Sequence, residues 1–106
     1  MYVLILEYFY VMVKVEVEYC GICNFSGQCH LLREFLLASS PDLDISCRTG
    51  RRGSFEVSID GQLVHSKLSC LAFPQHASVL AQVQKAERGE PVEKVLEQPI
   101  KDCVVM

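Results

Sequence analysis

With 106 residues the chain is long enough for one domain, and 50% hydrophobic against 22% charged residues exclude a disordered protein. The net charge is −3 and the ten Lys and Arg are scattered, so the basic patch that nucleic-acid binding needs is missing. Six cysteines are too few for a secreted scaffold of this length held together by disulfides.

The chain begins with an apolar stretch, residues 1–12, whose one charge is Glu7. It has neither the positive n-region nor the small-residue cleavage site of a secretory signal peptide. It is also shorter than the roughly 20 apolar residues that span a bilayer. We therefore expect an N-terminal extension on a protein of the reducing cytosol, where cysteines are more often catalytic, metal-binding or buried than cross-linked.

Three segments alternate between apolar and polar residues, which is the period of a strand buried on one face only. They are residues 11–19, 43–48 and 54–59. Asp60-Gly61 follows the third segment and is typical of a two-residue hairpin, so 62–67 is expected to pair back as a fourth strand.

Two further segments carry apolar residues at helical spacing. The first covers 26–38 and ends ahead of Pro41, because the residue before a proline disfavours helix. The second covers 75–88 and ends at Gly89.

The elements follow in the order β-α-β-β-β-α, and the first crossover is expected to be right-handed with its two strands parallel. Because the strands alternate instead of being apolar throughout, both helices are expected on one face of the sheet and the other face is expected to be wet. This predicts an α/β fold, a two-layer thioredoxin-like sandwich with helices on one face of a four-stranded mixed sheet. The domain would cover 13–89, followed by a flexible tail, 90–106.

Cys20-Gly21-Ile22-Cys23 stands where the first strand ends and the first helix begins. A helix N-terminus favours the thiolate, the reacting form of cysteine, because free N–H groups and the helix dipole stabilise negative charge. In a β-α-β unit this motif predicts a catalytic redox pair that forms a Cys20–Cys23 disulfide. Cys20 is expected to be the exposed, attacking thiol, and Cys23, one turn into the helix, the resolving thiol.

Two other interpretations of the pair stay open, a zinc site and thiols without chemistry. A zinc site needs a second pair at similar spacing, which the sequence lacks, so no metal is predicted. Cys29 is interpreted as a partly buried helix residue, Cys47 as a small core hydrophobe or a glutathione-accepting thiol, and Cys70 as a loop residue. The histidines are interpreted as solvated or capping.

The glycine loop 49–53 joins the second and third strands and is expected beside the cysteine pair, where open α/β sheets form their sites. Arg51 or Arg52 would then lower a thiol pKa or hold the carboxylates of glutathione as a redox partner. The alternative is two solvated arginines on the loop. No bound cofactor is predicted.

The last four residues, Cys103-Val104-Val105-Met106, fit the prenylation box, in which a terminal Met favours farnesyl. Cys103 would then be modified by a prenyltransferase and would attach the chain to the inner plasma membrane. One lipid chain gives marginal, reversible membrane binding. The alternative is an incidental cysteine in the tail.

The chain resembles the selenoprotein W / Rdx family over residues 13–106. The resemblance is carried by residues 17–25, 53–57 and 60–68, by Phe73-Pro74 and by the box at Cys103. Selenoprotein W itself lacks that box, so Cys103 narrows the match to one branch of the family.

The resemblance implies a thioredoxin-like fold, with Cys20–Cys23 in place of a pair that contains selenocysteine, and a redox-linked role. For the branch with the lipid box it implies prenylation at Cys103 and a location in the cytosol and on the cytoplasmic face of the plasma membrane. It also implies regulation of cell migration, filopodia formation and apoptosis. Partners would be cytosolic or membrane-associated proteins, met through thiol exchange or surface contact.

Whether the chain is a thiol–disulfide oxidoreductase stays open, because no proline precedes Ser54, where thioredoxins carry a cis-proline beside the cysteine pair. The alternative is a non-catalytic, membrane-tethered adaptor. Its binding surface would include the wet face of the sheet with Lys14, Glu16 and Glu56.

Overall fold

The computed structural model describes residues 12–98, which form one four-stranded sheet with helices. The elements are β1 (Lys14–Tyr19), α1 (Ser26–Ser39), β2 (Asp44–Thr49), β3 (Phe55–Ile59), β4 (Gln62–Ser66), α2 (Lys67–Cys70) and α3 (His76–Glu87). The predicted order is confirmed, with the four-residue α2 added between β4 and α3. Residues 1–11 of the predicted extension and the box at Cys103 lie outside the described residues.

The sheet has the strand order β2-β1-β3-β4. β1 pairs with β2 in parallel, from Lys14 opposite Asp44 to Tyr19 opposite Thr49, which confirms the predicted parallel crossover. The β1–β3 and β3–β4 pairs are antiparallel. The predicted hairpin joins β3 to β4, and Asp60 and Gly61 have φ of 49° and 85°, as a tight turn that matches the twist of two strands requires.

The hydrophobic core lies on one face of the sheet, between the strands and the two longer helices. The alternation of β1 and β3 directs every second residue there, and α1 and α3 contribute residues at helical spacing; the cluster includes Val15, Val17, Val57, Leu32, Leu36, Val79 and Val83. Burying each such side chain stabilises the fold by roughly 1.5–3 kcal/mol. Both helices therefore pack on the same face, as the alternation predicted.

The opposite face is less wet than predicted. Lys14 is exposed, but Glu56 is only 6% exposed, so its assignment to a solvated surface is wrong. The start of α2 lies beside it, and the Leu68 N–H donates to Glu56 Oε2 at 3.2 Å. The Phe55 N–H donates to the same oxygen, so the buried carboxylate has the partners that a buried charge needs.

The segment after α3 packs back on the domain. A register shift in the β3–β4 pair makes Val64 an extra residue of β4, and the Val64 carbonyl accepts the Val95 N–H at 3.0 Å. Val95 is 6% exposed, and Glu97 forms a bridge with Pro74. The start of the predicted tail, residues 90–98, thus contributes Val95 to the core.

Candidate functional site: a cysteine pair at the end of β1

The first structural feature of the site is a turn that separates Cys23 from α1. The Cys20 N–H donates to the Ser54 carbonyl at 2.9 Å, which continues the pairing of β1 with β3 by one residue. The Asn24 N–H then donates to the Gly21 carbonyl, and Asn24 itself has φ of 62°. This left-handed residue interrupts helical backbone, so α1 begins at Ser26. The prediction that Cys23 lies inside the helix is wrong.

The two cysteine side chains lie next to each other but differ in exposure. Their sulfur atoms are 2.7 Å apart, both as free thiols. A disulfide bond has a length of about 2.05 Å, so small side-chain movements would close it. Cys20 is only 1% exposed, whereas Cys23 is exposed. The predicted exposure of Cys20 is therefore wrong, and the accessible sulfur is that of Cys23.

Hydrogen bonds favour the thiolate on Cys20. The Cys23 N–H donates to Cys20 Sγ at 3.2 Å, so a backbone donor stabilises negative charge on this sulfur. Donation from the Cys23 thiol, followed by backbone N–H groups that include Gly53, lowers the pKa of Cys20. The same thiol–thiol hydrogen bond raises the pKa of Cys23. Cys20 is thus the cysteine that favours the thiolate, whereas Cys23 is the one that partners can reach.

The glycine loop between β2 and β3 lies beside the pair. The Gly53 backbone N–H lies near both sulfurs and favours the thiolate of each, and Gly53 has φ of 78°, in the left-handed region that a residue without Cβ adopts easily. Gly50 lies so close to Glu18 that any side chain there would overlap the carboxylate. Sequence patterns give no signal for a backbone donor such as that of Gly53, because its role depends on the loop conformation.

The two arginines of the loop have different surroundings. Arg51 binds Glu18 through Nε and Nη2 at 3.0 and 3.2 Å and through its backbone N–H at 2.6 Å. These hydrogen bonds lower the pKa of Glu18 and raise that of Arg51. Arg51 is therefore engaged by a carboxylate, whereas the exposed Arg52 places its charge near Cys23, where it favours the thiolate.

An aromatic cluster holds the turn against the domain. The Phe25 ring meets the Phe73 ring edge-on with 5.0 Å between centroids, and Phe73 meets Phe55 in the same way at 5.2 Å. Lys67 Nζ lies over the rings of Phe25 and Phe73, at 5.5 and 5.0 Å from their centroids. Above this cluster Ile22 is 79% exposed, so the turn presents an apolar side chain beside Cys23.

Cys29 and Cys47 form a disulfide between α1 and β2, with their Cα atoms 6.4 Å apart. The sequence predicts Cys29 as a partly buried helix residue and Cys47 as a small core hydrophobe or a glutathione-accepting thiol, and the expectation that the two are unlinked is wrong. The two are 18 residues apart in sequence, and no local motif marks such a pair. Within residues 12–98, no three His, Cys, Asp or Glu side chains assemble as ligands for a metal.

His65 lies in β4 and Cys70 in α2. His65 is 3% exposed, so of the two predicted roles, solvated or capping, the solvated one is wrong. Its Nε2 is 2.8 Å from the Ala72 carbonyl. Burial lowers the pKa of His65. Both residues line a cavity of about 120 Å³ whose lining contains neither Cys20 nor Cys23. The cysteine pair is thus a surface site and not the floor of that cavity.

Residues 14–85 match the model of the Rdx family. The chain belongs to the Rdx family. Two relatives carry the name Migration and invasion enhancer 1. The Bos taurus protein is 37% identical and the Mus musculus protein 39% identical, each over 83 residues that cover 78% of this chain and 72% of the relative. Family and relatives support a thioredoxin-like, redox-linked protein.

Solved structures confirm the fold class. A selenoprotein W-related protein from Vibrio cholerae matches with a TM-score of 0.64 and 20% identity over 73% of this chain and 99% of its own. A protein from Bordetella parapertussis matches with a TM-score of 0.62 and 20% identity over 72% of this chain and 98% of its own. The four-stranded mixed sheet with its helices is thus the thioredoxin-like fold of these neighbours.

Within residues 12–98, no helix has the length and hydropathy that would cross a membrane.

Proposed function

We propose that this Rdx-family chain carries out thiol–disulfide exchange with partner proteins or glutathione through Cys20 and Cys23. The observation that carries the proposal is the pair of free thiols 2.7 Å apart, one with a lowered and one with a raised pKa. When the pair loses one proton, the remaining proton is held between the two sulfurs. Such a dithiol has a base and an acid ready for the two steps of exchange.

The different exposure of Cys20 and Cys23 assigns each cysteine to one step of the exchange. Cys23 passes its proton to the Cys20 thiolate and attacks one sulfur of the partner disulfide, and the other partner sulfur leaves as a thiolate. Cys20 then gives the proton to that thiolate and attacks Cys23 Sγ, which closes Cys20–Cys23. The second partner sulfur leaves and takes a proton from solvent. The chain loses two electrons, and the partner disulfide becomes two thiols.

Cys23 is assigned the first attack because a thiolate must approach the partner disulfide in line, and Cys20 is 1% exposed. This reverses the roles expected from the sequence. Arg52 is the loop cation available to the carboxylates of glutathione, since Arg51 is bound to Glu18. The exposed Ile22 gives a protein partner an apolar contact beside the reacting sulfur.

Trapping of mixed disulfides tests these roles. Cys20→Ser removes the resolving sulfur, so incubation with glutathione disulfide should leave a glutathione adduct on Cys23, read by intact mass and peptide mapping. Cys23→Ser should give much less adduct on Cys20, with Cys70→Ser as the control that keeps both sulfurs. An adduct mainly on Cys20 would restore the roles expected from the sequence. No adduct at either position would refute exchange.

The finer role is also a proposal. We infer from the box at Cys103, the name of the mammalian relatives and the resemblance to the branch with the lipid box that Cys103 is prenylated and that the chain regulates cell migration, filopodia formation and apoptosis from the cytosolic face of the plasma membrane. A single lipid chain gives reversible membrane binding. Exchange at Cys23 would then act on cytosolic or membrane-associated partners.

Cell fractionation and a migration assay test the tether and the thiols side by side. Cys103→Ser should move the protein from the membrane to the soluble fraction and lose its effect on migration. Cys20→Ser should keep the membrane location and also lose the effect. A Cys103→Ser variant that stays with membranes would refute the lipid tether.

The burial of Cys20 favours a second candidate function, a membrane-tethered adaptor that does no exchange. Its surface would include the part of the outer sheet face that stays accessible, where Lys14 Nζ lies 3.5 Å from Glu16. This function predicts that the double variant Cys20→Ser, Cys23→Ser keeps its effect on migration while Cys103→Ser loses it.

A further inference from the structure

The Cys29–Cys47 disulfide takes no part in the proposed exchange, and it joins two elements that flank the site. Cys29 lies in the first turn of α1 and Cys47 in β2. β2 is an outer strand of the described sheet. The link therefore fixes the beginning of α1 to a strand that pairs on one side only.

The two sulfurs of this link differ in access. Cys29 is 1% exposed, whereas Cys47 is half-buried. Cys47, which is partly buried against the core, is therefore the more accessible end of the link for a small thiol, with Cys29 as the departing sulfur. This makes the link a disulfide that a small reductant can open, unlike one buried at both ends.

The link is connected to the redox turn by two consecutive backbone hydrogen bonds. The Cys29 N–H donates to the Phe25 carbonyl at 3.3 Å, and the Phe25 N–H donates to the Cys20 carbonyl at 3.2 Å. α1 has no side-chain hydrogen bond at its N-cap, Phe25, so the cross-link takes the place of a cap in ordering this end of the helix. Whether the disulfide is closed or open therefore affects how well residues 20–25 are ordered.

We propose that Cys29–Cys47 is a second, reversible redox site that regulates the reactivity of Cys23. The regulation rests on the exchange function proposed above, whereas the reversibility of the link does not. A low-molecular-weight thiol such as glutathione attacks Cys47 Sγ, and Cys29 leaves as a thiolate and takes up a proton. A second thiol attacks the mixed disulfide, which yields two protein thiols and one glutathione disulfide. Oxidation by glutathione disulfide reverses both steps.

The closed link holds the first turn of α1, and with it the turn that carries Cys23, in the geometry that keeps the two sulfurs 2.7 Å apart. When the link opens, the first turn of α1 frays more often. Cys23 then loses contact with Cys20 more often, so small electrophiles that react with the separate thiol reach it faster, whereas the proton transfer to Cys20 that exchange uses becomes rarer.

The first measurement is a titration of the full-length chain in glutathione buffers of graded redox ratio, with the double variant Cys20→Ser, Cys23→Ser as the matched sample. Thiols are blocked by alkylation and the peptides containing Cys29 and Cys47 are mapped. The expected result is that linked peptides convert to two alkylated peptides across the series and return when the ratio is reversed. Link occupancy that stays fixed across the series, in either sample, would overturn the inference.

The second measurement is the alkylation rate of Cys23 with iodoacetamide. Cys47→Ser and Cys29→Ser open the same link from opposite sides, and either should raise the rate at least about fivefold, the low end of ordinary coupling between two sites. Cys70→Ser, a thiol in α2, should leave the rate unchanged. Equal rates with and without the link would overturn the regulation.

Failure of the exchange function and failure of the second redox site give different experimental results. If no glutathione adduct is trapped on Cys23, the exchange function fails while the titration of Cys29–Cys47 keeps its meaning. If adducts form on Cys23 but the link does not respond to glutathione, the second redox site alone fails.

Discussion

Cys20 and Cys23 lie in different surroundings although their sulfurs are 2.7 Å apart. The Cys23 N–H donates to Cys20 Sγ at 3.2 Å, and the nearby N–H groups of Gly53 and Ile22 also favour its thiolate. Cys20 is buried, whereas Cys23 is exposed. Burial alone would raise the pKa of a thiol, so the donors must outweigh desolvation for the pKa of Cys20 to be lowered. At the scale of single residues, the site is thus an arrangement of donors around one sulfur.

The largest of these contributions is the Cys23 thiol, which gives a direct prediction for Cys23→Ala. Removing this donor should move the pKa of Cys20 up towards the usual value for cysteine, about 8.5. The ultraviolet absorbance of the thiolate, followed against pH, gives the midpoint of titration. Ile22→Ala is the matched control, because it changes an exposed side chain and keeps the backbone donor. A midpoint unchanged in Cys23→Ala would show that the thiol is not the donor.

At the scale of elements, Cys29 and Cys47 cross-link α1 to β2. In the chain-entropy model a cross-link that closes a loop of this length, 18 residues in sequence, stabilises the fold by about 3 kcal/mol, because it restricts the unfolded chain. Cys47→Ser should therefore lower the free energy of unfolding by about this amount in urea under oxidising conditions.

The control for that comparison is the same urea unfolding measured in the presence of a reductant. In excess dithiol reductant, the parent chain and Cys47→Ser should unfold at nearly the same urea concentration, because neither then carries the link. Cys70→Ser should behave as the parent chain in both conditions, since Cys70 is a free thiol. A difference between parent and Cys47→Ser that survives reduction would assign the effect to packing at β2 instead of to the cross-link.

Most elements follow from patterns that the sequence carries locally. Alternation identifies β1, β2 and β3, Asp60-Gly61 identifies the hairpin, and helical spacing gives α1 and α3 to within a few residues. α2 has only four residues, too few for a period, and its first turn covers Glu56. The error on the wet face has this origin: alternation tells which face a residue lies on, but not whether a later segment covers that face.

At the scale of the whole molecule, the site was predictable in position but not in detail. The end of β1 and the loop before β3 must meet once the strand order is known, so the sequence places Cys20 and Cys23 beside the glycine loop. The exposure of each sulfur, the capture of Arg51 by Glu18 and the Cys29–Cys47 link depend on tertiary contacts. Such contacts leave no periodic signal in the sequence.

The end of the domain is equally hard to predict from sequence periodicity, because a polar, proline-containing segment can still contribute one core residue. Val95 is 6% exposed, whereas its neighbour Leu96 is 65% exposed. Substitution of Leu96 is therefore a control for substitution of Val95. Val95→Ala should lower the free energy of unfolding by about 2 kcal/mol, through lost apolar burial and the cavity left behind. Leu96→Ala should change it by less than about 0.5 kcal/mol, as expected for an exposed side chain. Urea denaturation of the two variants measures both values, and equal, small effects would place residues 92–98 outside the cooperative fold.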